Sequence, residues 1–185
     1  MSNIIKPIRS NPKGHHIHSP FAFHLVTEVI FNEKDMPGSD FLEFAGRERV
    51  DQPVYSLMFR LLKFFAPQNI IIAGTGHPGL QEAIKKLLLP LQPVVTTELQ
   101  NFHPAGHDFV IWKKEFPEYF EIAENISDAV WFIPEIHHPE MQILFKKLKI
   151  QDNVTQTYEL NSCGIIIFNP KFQKQDFVIK GKKSY

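Results

Sequence analysis

The chain has 185 residues, 43% of them hydrophobic, and its 20 Lys plus Arg balance 20 Asp plus Glu. A single domain of that length removes roughly 70% of its unfolded surface from water, so its core needs no covalent or metal staples. Zero formal net charge lacks the basic excess of a nucleic-acid binder, and no apolar run reaches the ~20 residues that span a bilayer.

Cys163 is the single cysteine, which excludes an intrachain disulfide and suits a reducing compartment. The N-terminus has no long apolar segment after its basic residues, so it does not read as a secretory signal. These features predict a cytoplasmic protein that binds neither nucleic acid nor membrane, with homo-oligomerisation left open. The 17 Phe residues predict a core filled largely by rings.

Residues 1–18 read as irregular, with Pro7, Pro12, Gly14 and the group His15, His16, His18. Ser19 is a capping residue, Pro20 suits the first helical position, and Phe21, Leu25 and Val29 fall on one face, which predicts a helix to Phe31. Residues 39–53 carry an ambiguous pattern of short helix and loop. Val54 to Phe65 is helical again, with Leu57, Leu61, Leu62 and Phe65 on one side, Arg60 and Lys63 on the other, and Ala66-Pro67 as its stop.

Asn69 to Ala73 is a short β-branched run ending at Gly74-Thr75-Gly76, the pattern of a buried parallel strand entering a tight turn. Pro78 to Leu89 reads as a helix and Val94 to Thr97 as a strand ending at Glu98. Further strands are predicted over Asp108 to Trp112 and Ala129 to Ile133, and helices over Glu118 to Ile126 and Glu140 to Leu148. Thr155 to Leu160 and Gly164 to Phe168 form a hairpin about Asn161-Ser162, and Phe177 to Ile179 extends or flanks it. Strands alternating with helices and finishing in an antiparallel hairpin predict an α/β sandwich on a mostly parallel sheet. Residues 1–53 would form an N-terminal arm and helical cap, and 54–185 the α/β domain.

Gly74-Thr75-Gly76-His77-Pro78-Gly79 has the spacing G-x-G-x-x-G. Glycines there let a backbone turn tightly and approach a ligand whose polar groups meet N–H donors at the helix start. Glu98 lies downstream where a carboxylate can accept hydrogen bonds from both hydroxyls of a ribose. Gly74, Thr75, Gly76, Gly79 and Glu98 are therefore the candidate cofactor-binding residues.

In this order, the motifs resemble the class I S-adenosylmethionine-dependent methyltransferases. More narrowly, the chain is similar to a methyltransferase-like group from Bacteroidetes that opens on a His-Gly-Ile-His-Ser-Pro-Phe signature, standing here as His15-His16-Ile17-His18-Ser19-Pro20-Phe21. The matches continue through Leu57-Met58-Phe59-Arg60-Leu61, the Gly74 turn, Val154-Thr155-Gln156-Thr157, Gly164 to Phe168 and Gln175 to Ile179. The resemblance implies a Rossmann-like methyltransferase sandwich in three layers. Its sheet order would be 2-1-4-5-7-6 in the family's strand labels, with the usual third strand lost, and its N-terminal helices would lie over the strand C-termini.

It also implies S-adenosylmethionine as cofactor, a small-molecule or macromolecular hydroxyl as acceptor, and Glu135 and His137 as the catalytic pair. Several positions depart from the family's pattern. Ala73 stands where an acid often precedes the first glycine, and Lys113-Lys114-Glu115-Phe116 stands where an Asp-Gly-x-His pattern is usual. Pro134-Glu135-Ile136-His137 replaces Asp-Asp-Ile, and Glu98 to Asp108 is too short for the usual third strand. Two readings follow: an O-methyltransferase-like enzyme, or an inactive relative that keeps the scaffold for binding or assembly. No metal is expected, because adjacent residues such as His137 and His138 point apart.

Overall fold

A computed structural model describes residues 6–32, 38, 41, 43–44, 51–74, 79–89, 93–96, 108–112 and 126–181. The helix predicted over Glu118 to Ile126, apart from Ile126, and the shortened stretch from Glu98 to Asp108, apart from Asp108, lie outside them. The strands are β1 (Ile8–Ser10), β2 (Asn69–Ala73), β3 (Val94–Thr96), β4 (Asp108–Trp112), β5 (Ala129–Ile133), β6 (Gln156–Glu159), β7 (Gly164–Phe168) and β8 (Gln175–Ile179). The helices are α1 (Pro20–His24), continued by a π-helical segment Leu25–Ile30, then α2 (Gln52–Phe65), α3 (Leu80–Leu87) and α4 (Pro139–Lys149).

The strands form one eight-stranded sheet in the order β1-β8-β6-β7-β5-β4-β2-β3. Every described strand but β7 points the same way, β7 pairing antiparallel with both β5 and β6. The chain is thus a mixed α/β sandwich on a mostly parallel sheet with a C-terminal antiparallel hairpin. The six strands from β3 to β6 stand in the order that the resemblance implies. The arm read as irregular is corrected at Ile8–Ser10, which joins the far edge as β1 by pairing with Phe177–Ile179. A three-residue strand containing Arg9 carries no periodicity of its own, so only its distant partner defines it.

Side chains alternate strictly across the sheet. Ile70, Ile72, Phe109, Ile111, Val130, Phe132, Ile165 and Ile167 face one cluster, with the buried residues of the π-helical segment, α2 and α3. Ile71, Ala73, Val110, Trp112, Trp131, Ile133, Ile166 and Phe168 face the other, beneath Met141, Phe145 and Leu148 of α4. Trp112 and Trp131 stack with centroids 5.1 Å apart. At Gly164 a Cβ would come within 2.7 Å of the Phe145 ring and 2.8 Å of Ile136, so only glycine lets α4 approach β7 this closely.

Ser19 caps α1 by accepting from Ala22 N at 3.3 Å, and Asp51 caps α2 by accepting from Val54 N at 3.4 Å. Ala66, at φ 44°, ends α2 in a left-handed turn. The helix of 20–30 lies against a face of the sheet rather than over the strand C-termini. Its first turn stacks Phe21 on Phe172, which follows the exit of β7, with centroids 4.4 Å apart.

Arg60, on the side of α2 opposite the Leu57 and Leu61 stripe, is itself buried. Its Nε donates to Val29 O at 2.8 Å and Nη2 to Ile30 O at 2.9 Å, while Nη1 donates to Ser56 Oγ at 3.1 Å. Carbonyls at a helix end lack intrahelical donors, and here a guanidinium supplies them from the neighbouring helix. Arg60→Ala is expected to cost about 3 kcal/mol in urea unfolding, because two carbonyls lose charged donors in a dry site. A loss within the scatter of surface substitutions would show that Arg60 does not pin the π-helical end.

Candidate functional site

Parallel strands buried on both faces offer groups to a ligand at their ends, most readily where the strand order reverses. That reversal lies at β2, from which the chain passes to β3 on one side and then to β4 on the other. Gly74 follows directly, at φ 112°, a conformation that L side chains rarely adopt. The sequence therefore needs glycine there for the turn itself. Gly79 stands at the start of α3 and its carbonyl accepts from Ala83 N at 3.0 Å. Thr75, Gly76 and Glu98 lie outside the described residues, as do Lys113 and Lys114. Ala73 is wholly buried and brings no carboxylate to the turn.

The second group of candidates follows β5. Glu135 has φ 84°, a left-handed conformation costly for a residue with a Cβ. It is held by its neighbours: Glu135 N and Ile136 N both donate to Ser162 O at 3.0 Å, and His138 N donates to Glu135 O at 3.1 Å. Ser162 lies between β6 and β7, so the hairpin turn clamps the turn after β5. The exposed Glu135 carboxylate lies 3.6 Å from His138 Nε2, and the His137 and His138 rings, expected to point apart, instead stack at 4.8 Å.

A cleft of about 190 Å³ opens here, with His137, Gln142, Lys146, Glu159 and Asn161 around its mouth and Phe145 among its apolar walls. His137 lines it, while Glu135 is not among the described lining residues. Lys146, Glu159 and Asn161 were missed in the sequence. They come from α4, the end of β6 and the hairpin turn, so no local spacing joins them. With donors, acceptors and both charge signs, the cleft suits a polar guest.

The register places Ala73 beside Trp112 and Ile111 beside Phe132. The glycine turn and the end of β5 therefore lie two strands apart, about 10 Å by ordinary strand spacing. Among the described residues no group of three His, Cys, Asp or Glu side chains could hold a metal ion. No family model, curated protein or solved structure matches the chain. No helix among the described residues is long and apolar enough to cross a membrane.

The other candidates are positioned by packing. Ile17 anchors the arm in the core while His15, His16 and His18 are exposed, and Ser10 Oγ donates to His15 O at 2.6 Å. Burial pushes the Cys163 thiol well up, the Asp51 carboxylate adds to that, and Arg60 opposes it. The thiolate is the nucleophile, so Cys163 should resist iodoacetamide at pH 8 in the native protein and react fully in urea. Native labelling at the unfolded rate would contradict its burial. At the strained turn, Glu135→Gly is expected to raise the unfolding free energy by about 1 kcal/mol, since relief of strain exceeds glycine's added chain entropy. A fall in stability would show that φ 84° is not a source of strain.

Proposed function

We propose that this chain is a Rossmann-like protein of the S-adenosylmethionine-dependent O-methyltransferase type, with its cofactor at the β2–β4 strand ends and its acceptor in the cleft after β5. The observation that carries the reading is Gly74 at φ 112°, closing β2 where the strand order reverses. The described part of this edge fits an adenosine-type ligand, because a glycine turn leaves backbone amides approachable at the strand end.

S-adenosylmethionine supplies an electrophilic methyl group when bound. In this reading Gly74, Thr75, Gly76 and Gly79 form the turn, and Glu98 accepts hydrogen bonds from the ribose hydroxyls. His137 takes the proton of an acceptor hydroxyl within the cleft, with Lys146, Glu159 and Asn161 orienting the acceptor. Glu135 acts as a positioning residue, its backbone setting the turn that presents His137. A second reading, a scaffold that binds without transferring a methyl group, is favoured by the buried Ala73 at the acidic position.

Calorimetric titration with S-adenosylmethionine and S-adenosylhomocysteine tests the proposal. Both are expected to bind with Kd below 1 mM, about −4.1 kcal/mol. Glu98→Ala is expected to weaken binding by roughly 1–3 kcal/mol, the worth of a charge-assisted hydrogen bond. Millimolar or weaker binding of both ligands would falsify the cofactor assignment, and unchanged affinity in Glu98→Ala would remove the ribose assignment alone.

A further inference from the structure

The cleft assigned above to the acceptor carries two opposite charges, and their placement narrows what it can hold. One wall is α4, where Gln142 and Lys146 stand one turn apart, and the other is the end of β6 at Glu159. Ile136, Phe145 and Leu160 supply the apolar part of the lining. The register sets Gly164 beside Glu159, and the bare backbone there lets the Phe145 ring and Ile136 come down against the sheet. Leu160 N donates to Cys163 O at 3.0 Å, which holds the hairpin turn.

The acids and lysines on this face of the sheet are unevenly matched. Asp176 is buried, accepts from Thr157 Oγ1 at 2.7 Å and lies 3.6 Å from Lys149 Nζ. Lys146, one turn earlier on α4, has no such partner, and neither has Glu159. Among the described residues neither side chain forms an ion pair or a hydrogen bond. A cation and an anion therefore line one small cleft with no direct contact between them. The other described lining residues are His137, amides and apolar side chains.

We propose that the cleft takes a small hydroxy amino acid, its carboxylate toward Lys146, its ammonium toward Glu159 and its hydroxyl toward His137. The two charge assignments rest on the cleft alone, whereas the hydroxyl rests on the methyl-acceptor reading above. A monoanion would leave Glu159 facing like charge, and a monocation would do the same at Lys146. A neutral polyol would hydrogen-bond to both groups but offer an opposite charge to neither. The volume, about 190 Å³, is below the roughly 300 Å³ at which pockets for drug-sized ligands begin. That is too little to enclose a nucleotide, and it suits a guest with a short carbon chain against Phe145 and Leu160.

The probe is L-threonine, titrated by NMR at constant pH and ionic strength without S-adenosylmethionine. Two analogues each lack one charge. L-threoninol keeps the ammonium and carries a hydroxymethyl group in place of the carboxylate, and β-hydroxybutyrate of matching configuration keeps the carboxylate and lacks the ammonium. Saturable shifts are expected at the methyl groups of Ile136 and Leu160, with each analogue binding about fivefold more weakly, the upper worth of an exposed ion pair. Lys146→Met should erase the advantage of threonine over threoninol alone, and Glu159→Gln its advantage over β-hydroxybutyrate alone. Both positions are exposed, so the folded spectrum should persist. Absence of saturation, analogues that bind as tightly as threonine, or equal weakening of every probe in both variants would overturn the proposal. Because no titration contains S-adenosylmethionine, those failures leave the cofactor reading at Gly74 untouched. Threonine binding beside a failed S-adenosylmethionine titration would remove that reading and keep the two charge assignments.

Discussion

A sheet covered on both faces leaves chemistry only at its strand ends, and this constraint organises the molecule. Every residue of β4, β5 and β7 is buried, as is all of β2 after Asn69. The runs are almost wholly apolar because each strand must satisfy two cores at once. Polar residues on these four strands therefore collect where the strands start or stop, and the two edges acquire different character. One holds the glycine turn and the strained turn after β5. The other holds Asn69, Asp108, Asp128 and Asn169 beside phenylalanine rings.

The antiparallel strand β7 links the two edges. Without it, the turn after β5 would have no neighbouring hairpin, and Ser162 could not accept from both Glu135 and Ile136. The bare backbone of Gly164 lets Phe145 close over the same junction. Its far end, at Phe168 and Asn169, brings an amide beside Asp128. Strain at Glu135 is thus sustained by a hairpin that also sets the floor of the cleft.

The doubly buried strands were legible in the sequence because continuous β-branched runs such as Asn69 to Ala73 and Gly164 to Phe168 have few alternatives. Helix ends were legible where a cap announced them, as at Ser19 and Ala66-Pro67. Contacts between distant segments were not. Strand β1 exists through its pairing with β8, and Arg60 is buried because carbonyls 30 and 31 residues earlier need its donors. The same limit applies to the cleft, where Lys146 on α4 and Glu159 on β6 meet through tertiary packing alone. Of the cofactor candidates, the turn at Gly74 could be read locally, because an abrupt chain reversal after a buried strand demands a residue without a side chain.

The central claim is that the strand end at Gly74 is a ligand-binding edge. Amide chemical-shift mapping with S-adenosylhomocysteine tests it most directly, since it locates the ligand on the protein. The account predicts saturable shifts at Gly74, Gly79 and Leu80, extending toward the ends of β4 and β5 and sparing Phe21 and Phe172. Shifts absent from Gly74, or gathered at the opposite edge of the sheet, would contradict it.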